Sequence, residues 1–213
     1  MTAVTLGLAI ATCWLGMGIT AWLVMGVATA AQDSPAAKVV ERFQRVLLSV
    51  MSDAQKLGYS GRQRQLAPVV QDTHDLAAIA QFALGRYWDR LDATQRKVFI
   101  DTFGELSIAT YASSFDSYAG EDFKNVSEER LENGDALVRS LLTQPKGDTV
   151  RFDFVLRERE GRWRIINIVA DGVSDLAIKR AEYAAILRDE GFDALIEKLK
   201  QKIGQHSRAT PKS

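Results

Sequence analysis

From Asp33 onward the apolar positions fall into clear periods. Asp33-Ser34-Pro35 offers a cap and a first-turn proline, and Val39, Val40, Phe43, Val46, Leu47, Val50 and Met51 follow on one face. That pattern predicts an amphipathic helix ending near Leu57-Gly58. The polar stretch from Tyr59 to Gln65 carries no apolar period and reads as a connector before Pro68 restarts a short element. Asp75 caps a short helix through Leu76, Ile79, Phe82 and Leu84, stopped by Gly85, and Tyr87-Trp88 adds two large rings. The next start signal is Asp92-Ala93-Thr94-Gln95, which resembles a capping box. The helix it opens carries Val98, Phe99, Phe103, Leu106, Ile108, Tyr111, Phe115 and Tyr118 up to Gly120. Its apolar residues spread beyond one stripe, as they do on a central core helix or on one wall of an apolar cavity.

After Gly120 the period changes from helical to alternating. Phe123 to Leu131 reads as a strand, Asn133-Gly134 as a hairpin turn and Ala136 to Thr143 as the returning strand. Pro145 to Asp148 makes the next turn. Val150, Phe152, Phe154 and Leu156 then alternate with charged residues, and Glu160-Gly161 leads into Arg162 to Val169. Four antiparallel strands result, apolar on one face and mostly polar on the other. Ser174 caps a helix carrying Leu176, Ile178, Ala181, Tyr183, Ile186 and Leu187 up to Gly191. A last helix after Phe192-Asp193 packs Leu195, Ile196, Leu199 and Ile203. The expected class is α+β, a curved antiparallel sheet of about four strands covered on one face by several helices.

Composition changes this picture mainly at the amino terminus. The chain has 213 residues, 27 Lys and Arg against 27 Asp and Glu, and 46% hydrophobic residues. That is enough for a real core and excludes a disordered chain. All the charge lies beyond Gln32. The apolar run before it ends in Ala28-Thr29-Ala30, a small-x-small triplet of the kind signal peptidase accepts. No Lys or Arg precedes the run, and as a helix it is long enough to cross about 30 Å of hydrocarbon. Two readings therefore stay open for residues 1–30, a cleaved signal peptide or a retained membrane anchor. Either one exports the domain expected at residues 31–204, with residues 205–213 as a basic tail. The single cysteine, Cys13, lies in the leader, so the exported domain must be held by packing and not by disulfides.

Balanced charge leaves no electrostatic footprint for nucleic acid, and two histidines with one cysteine are too few for an ordinary zinc site. Neither a metal nor another cofactor is expected. Glu128-Glu129-Arg130, Arg157 to Glu160 and Lys179-Arg180 read as solvated faces or turns. His74-Asp75 is the one histidine–acid neighbour. Adjacent residues at a helix start do not face one another, which favours a capping Asp75 and a partly exposed His74 over a catalytic dyad. No Gly-x-Ser-x-Gly elbow and no glycine-rich phosphate loop occurs. The distinctive content is aromatic, and from composition alone those rings read as core packing.

Read in order, Leu84-Gly85-Arg86-Tyr87-Trp88, Thr94-Gln95-Arg96, Phe99 to Phe103, Tyr111 and Tyr118 resemble the MlaC family, also called toluene-tolerance proteins. Gly161-Arg162-Trp163-Arg164, Ile168 to Ser174, Tyr183, Leu187, Gly191-Phe192 and Leu195 look like its closing signature, and the resemblance covers about Ala36 to Lys202. It implies a periplasmic, non-enzymatic carrier that encloses phospholipid acyl chains between sheet and helices. The implied partners are an outer-membrane lipoprotein complex and an inner-membrane ABC transporter with an MCE subunit. The lipid would then meet Phe99, Phe103, Leu106 and Tyr111 on the central helix, Phe152, Phe154, Trp163 and Ile165 on the sheet, and Tyr87 and Trp88 at the rim. The headgroup would stay in solvent, with weak selectivity. The long uncharged leader and Asp175-Leu176-Ala177 after Gly172-Val173-Ser174 look like the hopanoid-associated HpnM branch, so a hopanoid is a second expected cargo. Two rival readings are a small pocket enzyme using His74 and Asp75 as its base, and a membrane-tethered scaffold with a solid core.

Overall fold

The computed structural model describes residues 34–208. Residues 1–33, with the expected leader, Cys13 and the Ala28-Thr29-Ala30 triplet, and residues 209–213 lie outside them. Helix α1 (Pro35–Ser52) starts at Ser34, whose hydroxyl oxygen accepts from the Ala37 amide at 2.9 Å. It closes at Asp53, before the expected end, and α2 (Ala54–Thr73) follows at once. The expected break survives as a kink, because Gly58 holds φ at 57°, a conformation open to glycine.

Beyond the kink the expected connector is instead helical. The inward positions of its first turns are Gly61 and Arg62, so no apolar period marks the buried face. Arg62 is only 4% exposed, and its guanidinium donates to the Ala112 carbonyl at 2.7 Å and the Ala54 carbonyl at 3.1 Å. Removing the donors orphans two buried acceptors. Arg62→Ala is expected to cost about 2 kcal/mol in urea unfolding, and Arg62→Met to recover little of it, since the stem returns without the donors.

Helix α3 (Leu76–Leu84) is capped by the Asp75 carboxylate, which accepts from the Ala78 amide at 3.0 Å. A 3-10 segment, Gly85–Arg90, carries Tyr87 and Trp88. Helix α4 (Ala93–Ser114) opens with both hydrogen bonds of the Asp92–Gln95 capping box. It stops before Gly120, so Phe115 and the exposed Tyr118 lie past its end.

Strands β1 (Asp122–Arg130), β2 (Ala136–Thr143), β3 (Thr149–Arg159), β4 (Arg162–Ala170) and β5 (Val173–Ser174) form an antiparallel meander in chain order. The short β5 extends the four strands expected. Asp171 and Gly172, with φ of 48° and 82°, make the two-residue turn into β5, the left-handed pair that a right-twisted hairpin favours. Bulges at Val126 and Ile166 interrupt the pairing. The second sets Ile168 opposite Phe154 and Ala170 opposite Phe152. Without the extra residue Asn167 would stand opposite Phe154. Each bulge also bends its strand and sharpens the local twist.

Helix α5 (Asp175–Asp189) starts at Ser174, whose hydroxyl accepts from the Ala177 amide at 3.2 Å. Helix α6 (Phe192–Arg208) carries Gln205 to Arg208 in helical form, where the sequence suggested a tail. Two apolar cores result. In the first, α1 and α2 cover the inner sheet face, with Val40, Phe43 and Leu47 packed among Val138, Phe154, Leu156 and Ile165. In the second, α3, α5 and α6 surround the start of α4 through Ala83, Phe99, Leu106, Tyr183, Leu195 and Leu199. Helix α4 serves both, with Ile108 and Ala112 in the first core and Phe99, Phe103 and Leu106 in the second. This double duty accounts for its broad apolar surface.

Candidate functional site

The two cores do not close completely on each other, and a cavity of about 200 Å³ remains between them. Its sheet wall consists of Phe123, Phe152, Phe154, Ile165, Ile168 and Ala170, and α4 supplies Phe103, Ser107, Thr110 and Tyr111. Phe43 and Leu47 of α1, Leu76 and Ile79 of α3, and Phe115 add to the apolar lining. Phe103, Phe154 and Ile165 are buried, whereas the lining residues Val173 and Asp175 are exposed, so the cavity opens to solvent beside β5 and the start of α5. Stacked and edge contacts link the rings. Phe152 lies 6.1 Å from Phe154 and 5.9 Å from Phe123, centroid to centroid.

A polar chain crosses the inner wall. The Thr73 hydroxyl donates to the Val69 carbonyl at 2.6 Å, so its oxygen accepts from His74 Nδ1–H at 3.0 Å. His74 Nε2 is then left as an acceptor for the Tyr111 hydroxyl at 3.2 Å. His74 is 4% exposed, against the partial exposure expected, because Phe43 stands edge-on at 4.9 Å and the adjacent backbone is pinned to Ile165. Burial holds its pKa down to about 4 and pushes that of Tyr111 up. Asp75 lines a separate surface hollow with Arg157, Arg159, Arg162 and Arg164, and its carboxylate lies 3.7 Å from Arg159. No hydrogen bond joins Asp75 to the His74 ring, so the base pair of the rival enzyme reading lacks its geometry.

At the opening, Asp175 and Lys179 stand one turn apart on α5 and form an ion pair. They are the carboxylate and the cation among the cavity-lining residues described. Nothing in the local pattern marks Lys179 as facing a cavity, since its period within α5 reads equally well as a solvated face.

The model of the family described as MlaC protein matches residues 41–201. The chain belongs to the MlaC family. The intermembrane phospholipid transport system binding protein MlaC of Haemophilus influenzae is 31% identical over 126 residues, a match covering 57% of this chain and 59% of that protein. A solved structure of a phospholipid-binding protein from Ralstonia solanacearum, in complex with a phospholipid, superposes with a TM-score of 0.73 at 18% identity. That match covers 82% of this chain and 100% of the other, and at such identity it shows a shared fold.

Within this MlaC fold, Phe103, Tyr111, Phe152, Phe154 and Ile165 meet around the cavity. The other residues singled out from the sequence are placed elsewhere. Phe99 and Leu106 point into the second core, where Phe99 packs against Tyr183 at 6.0 Å. Trp163 sits beside the β3–β4 turn, far along β4 from Ala170, under the Arg130 guanidinium at 4.3 Å. Tyr87 lies between Arg86 and Arg90, and Trp88 packs against the second core, so neither forms the rim. Val173, Asp175 and Lys179 occupy that place. Phe43, Leu47, His74 and Ile168 were missed as lining residues because ordinary core periodicity gives the same pattern.

Proposed function

We propose that this MlaC-family protein is a periplasmic lipid carrier whose cavity receives phospholipid acyl chains and moves them through water. The observation that carries the reading is an apolar cavity, closed by two cores and opening beside a charged pair, in a chain of this family. Each methylene removed from water is worth about 0.8 kcal/mol, so such an enclosure supplies the binding free energy without covalent chemistry. The names of the relatives support the same class of ligand. The cavity of about 200 Å³ is smaller than the ~300–1,000 Å³ common for small-molecule sites. In this reading, admitting a whole lipid requires the walls to part at the junction of the two cores.

In this reading the carrier exchanges lipid with an outer-membrane lipoprotein complex and with an inner-membrane ABC transporter bearing an MCE subunit. The test is to express the full chain, purify it without detergent, extract it with organic solvent and identify bound lipids by mass spectrometry. Phospholipid near one molecule per chain is the expected result. A hopanoid in its place would transfer the same mechanism to a polycyclic cargo. A folded protein that holds no lipid and takes none from vesicles would overturn the carrier reading.

A further inference from the structure

We infer that the Asp175–Lys179 pair reads the lipid headgroup and favours zwitterionic phospholipids, with a phosphate next to the glycerol and an ammonium beyond it, over anionic ones. The inference rests on the cavity being the lipid site. Both residues line its opening, and they are ordered along the way out. The Lys179 side chain is 19% exposed and that of Asp175 is 72% exposed, so Lys179 is the more deeply set of the two and Asp175 the nearer to solvent. The Lys179 stem covers apolar wall while its charge stays at the edge.

Outward from the acyl chains, a zwitterionic phospholipid presents first a negative and then a positive charge. The protein presents the reverse order, first Lys179 and then Asp175. Lipid entry then exchanges one intrahelical ion pair for two pairs with the headgroup, leaving no charge without a partner. An anionic headgroup such as phosphatidylglycerol would satisfy Lys179 through its phosphate but brings no ammonium, so Asp175 would lose its cationic partner.

Other groups near the opening are already engaged. The hydroxyls of Ser107 and Thr110 donate to the Phe103 and Leu106 carbonyls of their own helix. The Asn167 side chain accepts from Ser174 at 3.2 Å, and Lys202 pairs with Glu182 at 2.6 Å. His206 lies 3.4 Å from Thr110, and burial, helped by the neighbouring Lys179 and Lys202, disfavours its charged form. Among the described residues that line the cavity Lys179 is the cation, which places it to meet a phosphate at this opening.

The test is competition. The full-length chain is stripped of lipid and incubated with vesicles of equimolar phosphatidylethanolamine and phosphatidylglycerol with the same acyl chains. It is then re-isolated and its bound lipids are quantified. The expected result is about threefold more phosphatidylethanolamine than phosphatidylglycerol, the scale of a partly exposed ion pair. Asp175→Asn should bring the ratio near one. Asp175→Lys should turn it towards phosphatidylglycerol, a gain of preference that misfolding cannot produce. Loading at a ratio near one in the unaltered chain and in both variants would overturn the headgroup inference and leave the lipid-site reading standing. Failure of the unaltered chain to take either lipid would overturn both.

Discussion

Phe152→Asp is expected to lower bound lipid by at least roughly tenfold while the protein stays folded. The ring stands on the inner face of β3, opposite Ala170 and beside Phe123 and Phe154, and it is only partly buried because one side faces the cavity. A carboxylate there keeps access to water through the opening when the cavity is empty. With acyl chains inside it would be trapped against hydrocarbon, at a desolvation cost of several kcal/mol. Phe103→Asp lines the same space but is 3% exposed and shared with the second core, so it should lose fold and lipid together. The discriminating measurement is lipid per mole of protein alongside circular dichroism. Phe152→Leu, which keeps the wall apolar, should retain most of the lipid. A folded Phe152→Asp protein with normal occupancy would remove the sheet from the binding wall.

Acid should weaken the fold through His74 by about 3 kcal/mol between pH 7 and pH 4. Its pKa in the folded chain is about 4, below the ordinary 6.5, so between those values the unfolded chain binds more protons than the native one. Stability from this group is therefore complete above pH 6.5, falls as pH drops towards 4 and levels off below that. The structural reason is the hydrogen-bond chain. Protonated His74 has hydrogens on both nitrogens, and the Tyr111 hydroxyl then loses the acceptor it uses at 3.2 Å. Urea unfolding of the unaltered protein and of His74→Gln at several pH values isolates the effect, because the carboxylates contribute equally to both. Their stability difference should shrink by about this amount on acidification. Parallel curves would mean that His74 is not held neutral in the native state.

The sequence disclosed most wherever chemistry is local. Asp92 and Gln95 form their capping box, Asp75 and Ser174 cap as their side chains predict, and β2 matches its expected bounds. Residues 59–65 failed the same reading because a glycine and a buried arginine hide the inward face of α2. The lining of the cavity was only half legible. Phe103 and Phe99 share a helix face, and nothing in their spacing tells which ring stops against Tyr183 and which continues to the cavity.

By itself, then, the sequence determined the order of helices and strands, their caps and turns, and the family signature. These depend on residues within a few positions of one another. The tertiary structure alone decided that α4 belongs to two cores, that the cores leave a space between them, and that Lys179 stands at its opening. A cavity is apolar contact left unmade between distant segments. A residue beside it and a residue in the filled core satisfy the same local pattern, so only the assembled packing separates them.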